Sequence, residues 1–114
     1  MTLFSESNAP TITSLVMSRV KGLKHDAGKP MWGLLPWAEL NEVVKVLTLG
    51  ADKYGRGNWK LVKGGEDRYF NACLRHLAAL RVGERSDPET GLNHYSHAIC
   101  SLLFAFWHNR RIQK

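Results

Sequence analysis

Three apolar stripes with helical spacing, and no convincing strand pattern beside them, are what most restrict the fold of this chain. After Pro36, a residue suited to a first helical turn, Leu40, Val43, Val44, Leu47 and Ala51 recur at intervals of three and four. Phe70, Cys73, Leu74 and Leu77 form a second stripe, and Tyr95, Ala98, Ile99, Leu102 and Phe106 a third. Turn residues divide them: KYGRGN at 53 to 58 should stop the first helix, and Gly83 should cap the second. Glu66 and Asp67 suit the positive end of the second helix. The third helix should run from about Leu92 to Arg110. The pattern predicts an all-α protein, a small bundle of three main helices plus an irregular N-terminal segment.

Residues 1 to 22 should form an arm or short element, within which TITSLVMSRVK at 11 to 21 suits either a helix or a strand. GLKHDAGKPMWGLLPW, punctuated by glycine and proline, should be irregular. Residues 23 to 114 then make a single helical domain. A chain of 114 residues that is 44% hydrophobic should fold around one modest core. A helical core this small is expected to be completed by oligomerisation, so a homo-oligomer is the expected assembly.

The formal charge of +6 comes from 16 Lys and Arg against 10 Asp and Glu, which favours an anionic partner. The basic residues are dispersed among acids. That suits a phosphate pocket better than a continuous nucleic-acid surface, so nucleic acid is the less favoured partner. Cys73 and Cys100 lie in apolar stripes without CxxC spacing and are expected as free buried thiols in a reducing compartment. MTLFSESNAP lacks a basic start and a long apolar run, and AICSLLFAFW is too short to span a bilayer. The expectation is a cytoplasmic protein with no membrane partner.

The chemistry concentrates in GERSDPETGLNHYSHA at 83 to 98. His94 and His97 are three apart and share a helix face, while Glu84 and Asp87 lie in the preceding loop. In an antiparallel hairpin, His76 of the second helix should come opposite His97. Carboxylates beside imidazoles suit a divalent ion, with imidazole nitrogen moving the preference towards Mn, Fe, Co or Zn. Glu39 and Glu42, three apart on the first helix, are further candidates. The plain alternative is an Asp-Pro turn capping a helix, with structural histidines and solvated acids.

Two loops could serve a phosphorylated ligand. HDAGKP at 25 to 30 lacks the spacing of a Walker A loop, which excludes a P-loop. KYGRGNW at 53 to 59 combines cations, glycines, an amide and two aromatics, so Tyr54 or Trp59 could stack on a base while Asn58 donates and accepts. The alternative is a helix-ending turn with Trp59 packed on the core. Arg68 and Arg75, two helical turns apart, either clamp an oligophosphate or form a solvated face.

Taken in order, KHDAGKPMWGLLP, GADKYGRGNW, RYFNACLRHLAAL and GERSDPETGLNHYSHA resemble the bacteriophage dATP/dGTP diphosphohydrolase N-terminal domain family, over roughly residues 23 to 107. The resemblance implies an all-α nucleotide pyrophosphohydrolase of MazG-like character. Such enzymes cleave between the α and β phosphates with Mg²⁺ or Mn²⁺. Positions matching the family are Asp26, Lys29, Lys53, Tyr54, Asn58, Trp59, Arg75, His76, Glu84, Asp87, His94 and His97. Lys24 stands where the family often has Arg, and the dense glutamate cluster of MazG-like enzymes is only partly met.

The combined expectation is a metal-dependent (deoxy)nucleoside triphosphate pyrophosphohydrolase acting on the phage nucleotide pool. Glu84, Asp87, His94 and His97 would hold Mg²⁺ or Mn²⁺, with Glu84, Asp87 and His76 catalytic. Asp26, Lys29, Lys53, Arg68 and Arg75, together with Tyr54, Asn58 and Trp59, would bind the nucleotide. The alternative is a non-catalytic protein that sequesters a phosphorylated signal.

Overall fold

A computed structural model describes residues 21 to 112. The expected element at 11 to 21 lies almost entirely outside the described residues. Contacts divide the chain into two compact units, Met1–Leu35 and Pro36–Lys114. In the first unit the described residues are irregular apart from a 3₁₀ turn at Trp32–Leu34. The backbone N–H of Lys29 donates to the Asp26 carbonyl, and Lys24 pairs with the Asp26 carboxylate at 3.3 Å.

The second unit is all-α, as its apolar periodicity predicts. Helix α1 spans Trp37–Tyr54, α2 spans Gly65–Arg81 and α3 spans His94–Asn109. A 3₁₀ turn at Asn58–Leu61 links α1 to α2. Among the described residues the only extended pairing is an isolated antiparallel bridge between Ser86 and Asn93. Pro36 occupies the N-cap of α1, one residue before the helix. Its missing N–H is no loss there, because the first helical amides have no intrahelical partner.

Helices α2 and α3 pack along one another as a hairpin, and α1 packs on α3. The buried apolar residues are small: Val43, Cys73, Ala98, Cys100 and Ala105. Cys100, sealed among the helices, has its thiol pushed up to about 11 by burial, so it stays a protonated apolar filler.

Each end of the α2–α3 hairpin is set by local chemistry. Gly83 takes a positive φ of 95°, and its N–H donates to the Leu80 carbonyl while the Glu84 N–H donates to Ala79. This Schellman pattern satisfies two orphan carbonyls and turns the chain sharply at Glu84. On the other side of the connecting loop Asn93 caps α3, its side chain accepting from the Tyr95 N–H at 2.8 Å. The far end of the hairpin is closed by His108, whose Nε2 donates to the Trp59 carbonyl at 2.9 Å and whose ring stacks on Tyr69.

Candidate functional site

The loop from Glu84 to Asn93 decides where the reactive side chains go. It folds back on itself through N–H donation from Asp87 to Leu92, from His94 to Arg85 and from Gly91 to Asp87. One oxygen of Asp87, Oδ1, accepts from the N–H groups of Glu89 at 2.8 Å and Thr90 at 3.1 Å. That leaves Oδ2 facing the hairpin, 4.0 Å from Nδ1 of His76. Desolvation would raise the Asp87 pKa, but the two backbone donors outweigh it and hold the carboxyl below its ordinary value.

His76, in the last half of α2, and His94, the first residue of α3, point Nδ1 at Nδ1 across 2.9 Å. His94 is buried, and its Nε2 contacts Glu84 Oε1 at 2.7 Å. A carboxylate can only accept, so Nε2 carries the proton and Nδ1 of His94 presents a lone pair. Burial, reinforced by the neighbouring His97 and His94, pushes the His76 pKa down and keeps that ring neutral.

His76, Asp87 and His94 thus offer three donor atoms all within 4.8 Å of one another. A common ion about 2.1 Å from each donor requires separations of no more than about 4.2 Å, which the 2.9 Å between the two imidazole nitrogens and the 4.0 Å from His76 to Asp87 meet. The donor chemistry of two imidazole nitrogens and one carboxylate oxygen fits a transition-metal dication. Glu84, bonded to His94 Nε2, stands where it would orient that ring if Nδ1 held a metal.

The sequence grouped Glu84, Asp87, His94 and His97 as ligands and left His76 as a base, and the structure arranges them differently. His76 joins the converging donors, Glu84 stands behind His94, and His97 turns aside. The His97 ring stacks on His76 at 4.7 Å and 13°, and its Nε2 meets Thr90 Oγ1 at 2.7 Å. Thr90 Oγ1 also accepts the Leu92 N–H at 3.2 Å, so its hydroxyl proton is free to go to His97. Burial holds the His97 pKa down as well. Glu42 pairs instead with Lys45 at 3.0 Å, and neither Glu39 nor Glu42 belongs to the cluster.

Next to His97 lies a cavity of about 340 Å³ between α1, the 3₁₀ turn, α2 and α3. Tyr54, Asn58, Trp59, Tyr69, His97 and Phe104 are among its walls. One face of Trp59 is committed to Phe104, with ring centroids 4.2 Å apart, and its edge meets Trp107. Trp59 is therefore a fixed wall, whereas Tyr54 is 63% exposed and open to a ligand. A second groove of about 540 Å³ shares Tyr54, Asn58 and Tyr69 with the first and adds Arg68 and Arg75. Lys53 bonds to Glu89 at 3.3 Å, tying the end of α1 to the Asp87 loop. Asp26 and Lys29 belong to the Met1–Leu35 unit.

Thr90, Asn93 and Tyr69 escaped the sequence reading. The spacing D-P-E-T held the signal for Thr90, since an Asp that folds onto the N–H groups two and three residues later brings that threonine under it. Tyr69 meets Phe104 and His108 only through the tertiary fold.

The fold and site together define a small all-α protein with a histidine and carboxylate cluster whose stacking partner, His97, is also a wall of an aromatic cavity. Residues 19–114 match the family described as dATP/dGTP diphosphohydrolase, N-terminal, and the chain belongs to that family. It is 41% identical over 86 residues to a dATP/dGTP diphosphohydrolase of Salmonella phage PMBT28. That match covers 75% of this chain and 29% of the relative, so the chain spans less than a third of the relative's length. No solved structure matches the chain significantly. No helix among the described residues is long and apolar enough to cross a membrane.

Proposed function

We propose that this chain carries the active site of a metal-dependent pyrophosphohydrolase for purine deoxynucleoside triphosphates, releasing monophosphate and pyrophosphate. The observation that carries the reading is the convergence of His76, His94 and Asp87, joined to an aromatic cavity through His97, which stacks on His76, and to a two-arginine groove through Arg75, the chain neighbour of His76. The name of the phage relative supports the substrate class. A divalent ion bound there supplies positive charge for the polyphosphate and makes a nearby water more acidic. The nitrogen-rich donor set favours Mn²⁺ over Mg²⁺.

The chain's own residues do the rest. Tyr54 and the cavity walls hold the base, with Asn58 at the rim able to donate or accept. Arg68 and Arg75 bind phosphate oxygens and balance the charge that develops on the leaving group. Water attacks the α-phosphorus in line, the bond from that phosphorus to the bridging oxygen breaks, and pyrophosphate departs. Glu84, half exposed, keeps one oxygen on His94 and offers the other to the proton lost by the water. Thr90 holds His97 against His76, so the cluster keeps its shape as ligand enters. In an infected cell this reaction would remodel the deoxynucleotide pool.

The test is incubation with each dNTP, with and without Mg²⁺ or Mn²⁺, while pyrophosphate is followed. Release of pyrophosphate from dATP and dGTP, faster with Mn²⁺, is expected. Tight nucleotide binding without turnover under either metal would establish the sequestering protein instead.

A further inference from the structure

His97 stands outside the converging donors, yet its ring is held on two sides. Nε2 meets Thr90 Oγ1 at 2.7 Å, and one ring face lies on His76 at 4.7 Å. The same ring is part of the wall of the cavity of about 340 Å³. Among the described residues Nδ1 of His97 has no hydrogen-bond partner, and no buried side-chain nitrogen or oxygen lacks one. Nδ1 is therefore open, and the open space that His97 borders is the cavity.

Thr90 decides what Nδ1 offers. The Thr90 N–H donates to Asp87 Oδ1 at 3.1 Å, and its Oγ1 accepts from the Leu92 N–H at 3.2 Å, so the hydroxyl is fixed in place. Among the described residues His97 Nε2 is the acceptor that remains for the hydroxyl proton. A neutral imidazole carries one proton, and a ring that accepts at Nε2 carries it at Nδ1. His97 thus presents an N–H to the cavity, a donor that cannot turn into an acceptor while Thr90 holds the ring.

The Asn58 amide and the Ser101 hydroxyl line the same cavity and are of a different kind. Either group can rotate to donate or to accept. Leu47, Ala51 and Phe104 supply apolar wall, so a ligand that leaves the His97 N–H unmatched takes away its water without replacing the bond.

A fixed donor beside adaptable groups suits a purine. Adenine and guanine share one acceptor, N7, next to the exocyclic group by which they differ, an amino donor in adenine and a carbonyl acceptor in guanine. Cytosine and thymine have no ring-nitrogen acceptor on that edge. We infer, resting on the nucleotide reading proposed above, that His97 reads the base: its Nδ1–H donates to purine N7, while Asn58 or Ser101 turns to suit either exocyclic group. Thr90 is a positioning residue that acts through His97.

Calorimetry on the full chain with Mn²⁺ tests this with deoxynucleoside monophosphates, which hold the base but have no pyrophosphate to lose. The probes are dGMP, dAMP, dCMP and the 7-deaza forms of the two purines, in which C–H replaces N7. Each 7-deaza nucleotide should bind about 10-fold or more weakly than its parent, and dCMP at least as weakly. His97→Phe keeps a flat ring on His76 but has no donor, so it should bind dGMP and 7-deaza-dGMP equally. Thr90→Val should shrink the penalty as well, with circular dichroism checking that both variants fold. Nitrogen NMR of the metal-free parent should place the His97 proton on Nδ1. A merely structural His97 would weaken all five nucleotides alike in His97→Phe and keep the ratio, which would overturn the assignment. Equal binding of dGMP and 7-deaza-dGMP by the parent, or a proton on Nε2, would overturn it while leaving the nucleotide reading intact. No saturable binding of any of the five would overturn both.

Discussion

Nδ1 of His76 and Nδ1 of His94 lie 2.9 Å apart, a distance at which two lone pairs cannot face each other without a proton or a cation between them. Glu84 settles which ring donates by drawing the His94 proton to Nε2. Glu84→Gln keeps the size of the side chain but offers an amide that can also donate. We expect Mn²⁺ affinity, read by calorimetry, to fall about 10- to 100-fold with little change in thermal stability. An affinity equal to the parent's would place the metal elsewhere.

Asp87 does two jobs with its two oxygens. Asp87→Asn retains an acceptor for the N–H groups of Glu89 and Thr90 but removes the charge facing His76. The expected outcome is a folded protein with turnover lost and metal affinity reduced at least 10-fold. Turnover at the parent rate would remove Asp87 from the site.

Arg68 and Arg75 both line the groove that adjoins the aromatic cavity. Charge-assisted bonds to phosphate are worth about 1.5–3 kcal/mol each, so Arg75→Ala should raise KM for a triphosphate by roughly 10- to 100-fold. A nucleoside carrying no phosphate should bind the parent and the variant equally. Equal loss of both ligands would mean that the variant had damaged the cavity rather than the phosphate contact.

Gly65 is buried at the start of α2, directly under the His108 imidazole. A methyl group there would lie inside that ring's van der Waals surface. Gly65→Ala should therefore cost about 1–3 kcal/mol, despite the better helix propensity of alanine, and should free His108 from Trp59. Urea unfolding measures the cost, and tryptophan fluorescence reports the loosening.

Burial keeps both His76 and His97 below their ordinary pKa of 6.5. The unfolded chain then binds protons that the folded chain refuses, so stability rises with pH across this range. With a chelator present, Tm should drop as pH falls from about 7 to about 5, and less steeply in His76→Asn. Asp87, shifted down, adds a further loss in the same direction below its ordinary value of 3.8. A Tm independent of pH over the upper range would contradict neutral, buried rings.

The helices were legible because their signals are local. Pro36, the three apolar stripes and Gly83 each act within a turn or two of chain, and the helices fall within about two residues of where those signals put them. The gathering of His76, Asp87 and His94 was half legible. Spacing brought His76 opposite α3, but placing His94 and His97 on one helix face says nothing about where each ring turns. Those directions come from Glu84 for one ring and Thr90 for the other. The closure of His108 on Trp59 joins residues 49 apart and leaves no trace in either neighbourhood.

The loop between α2 and α3 behaves as a ruler. Surface loops are ordinarily where a chain absorbs insertions and deletions. Here Glu84 and its partner His94 lie ten positions apart in the chain, and the Ser86–Asn93 bridge fixes the register between them. One residue more or fewer would break the pairing of Asp87 with Leu92 and of His94 with Arg85. Length drift among natural variants of this chain should therefore be absorbed at the turn after α1, while the span from Gly83 to Asn93 stays constant in length.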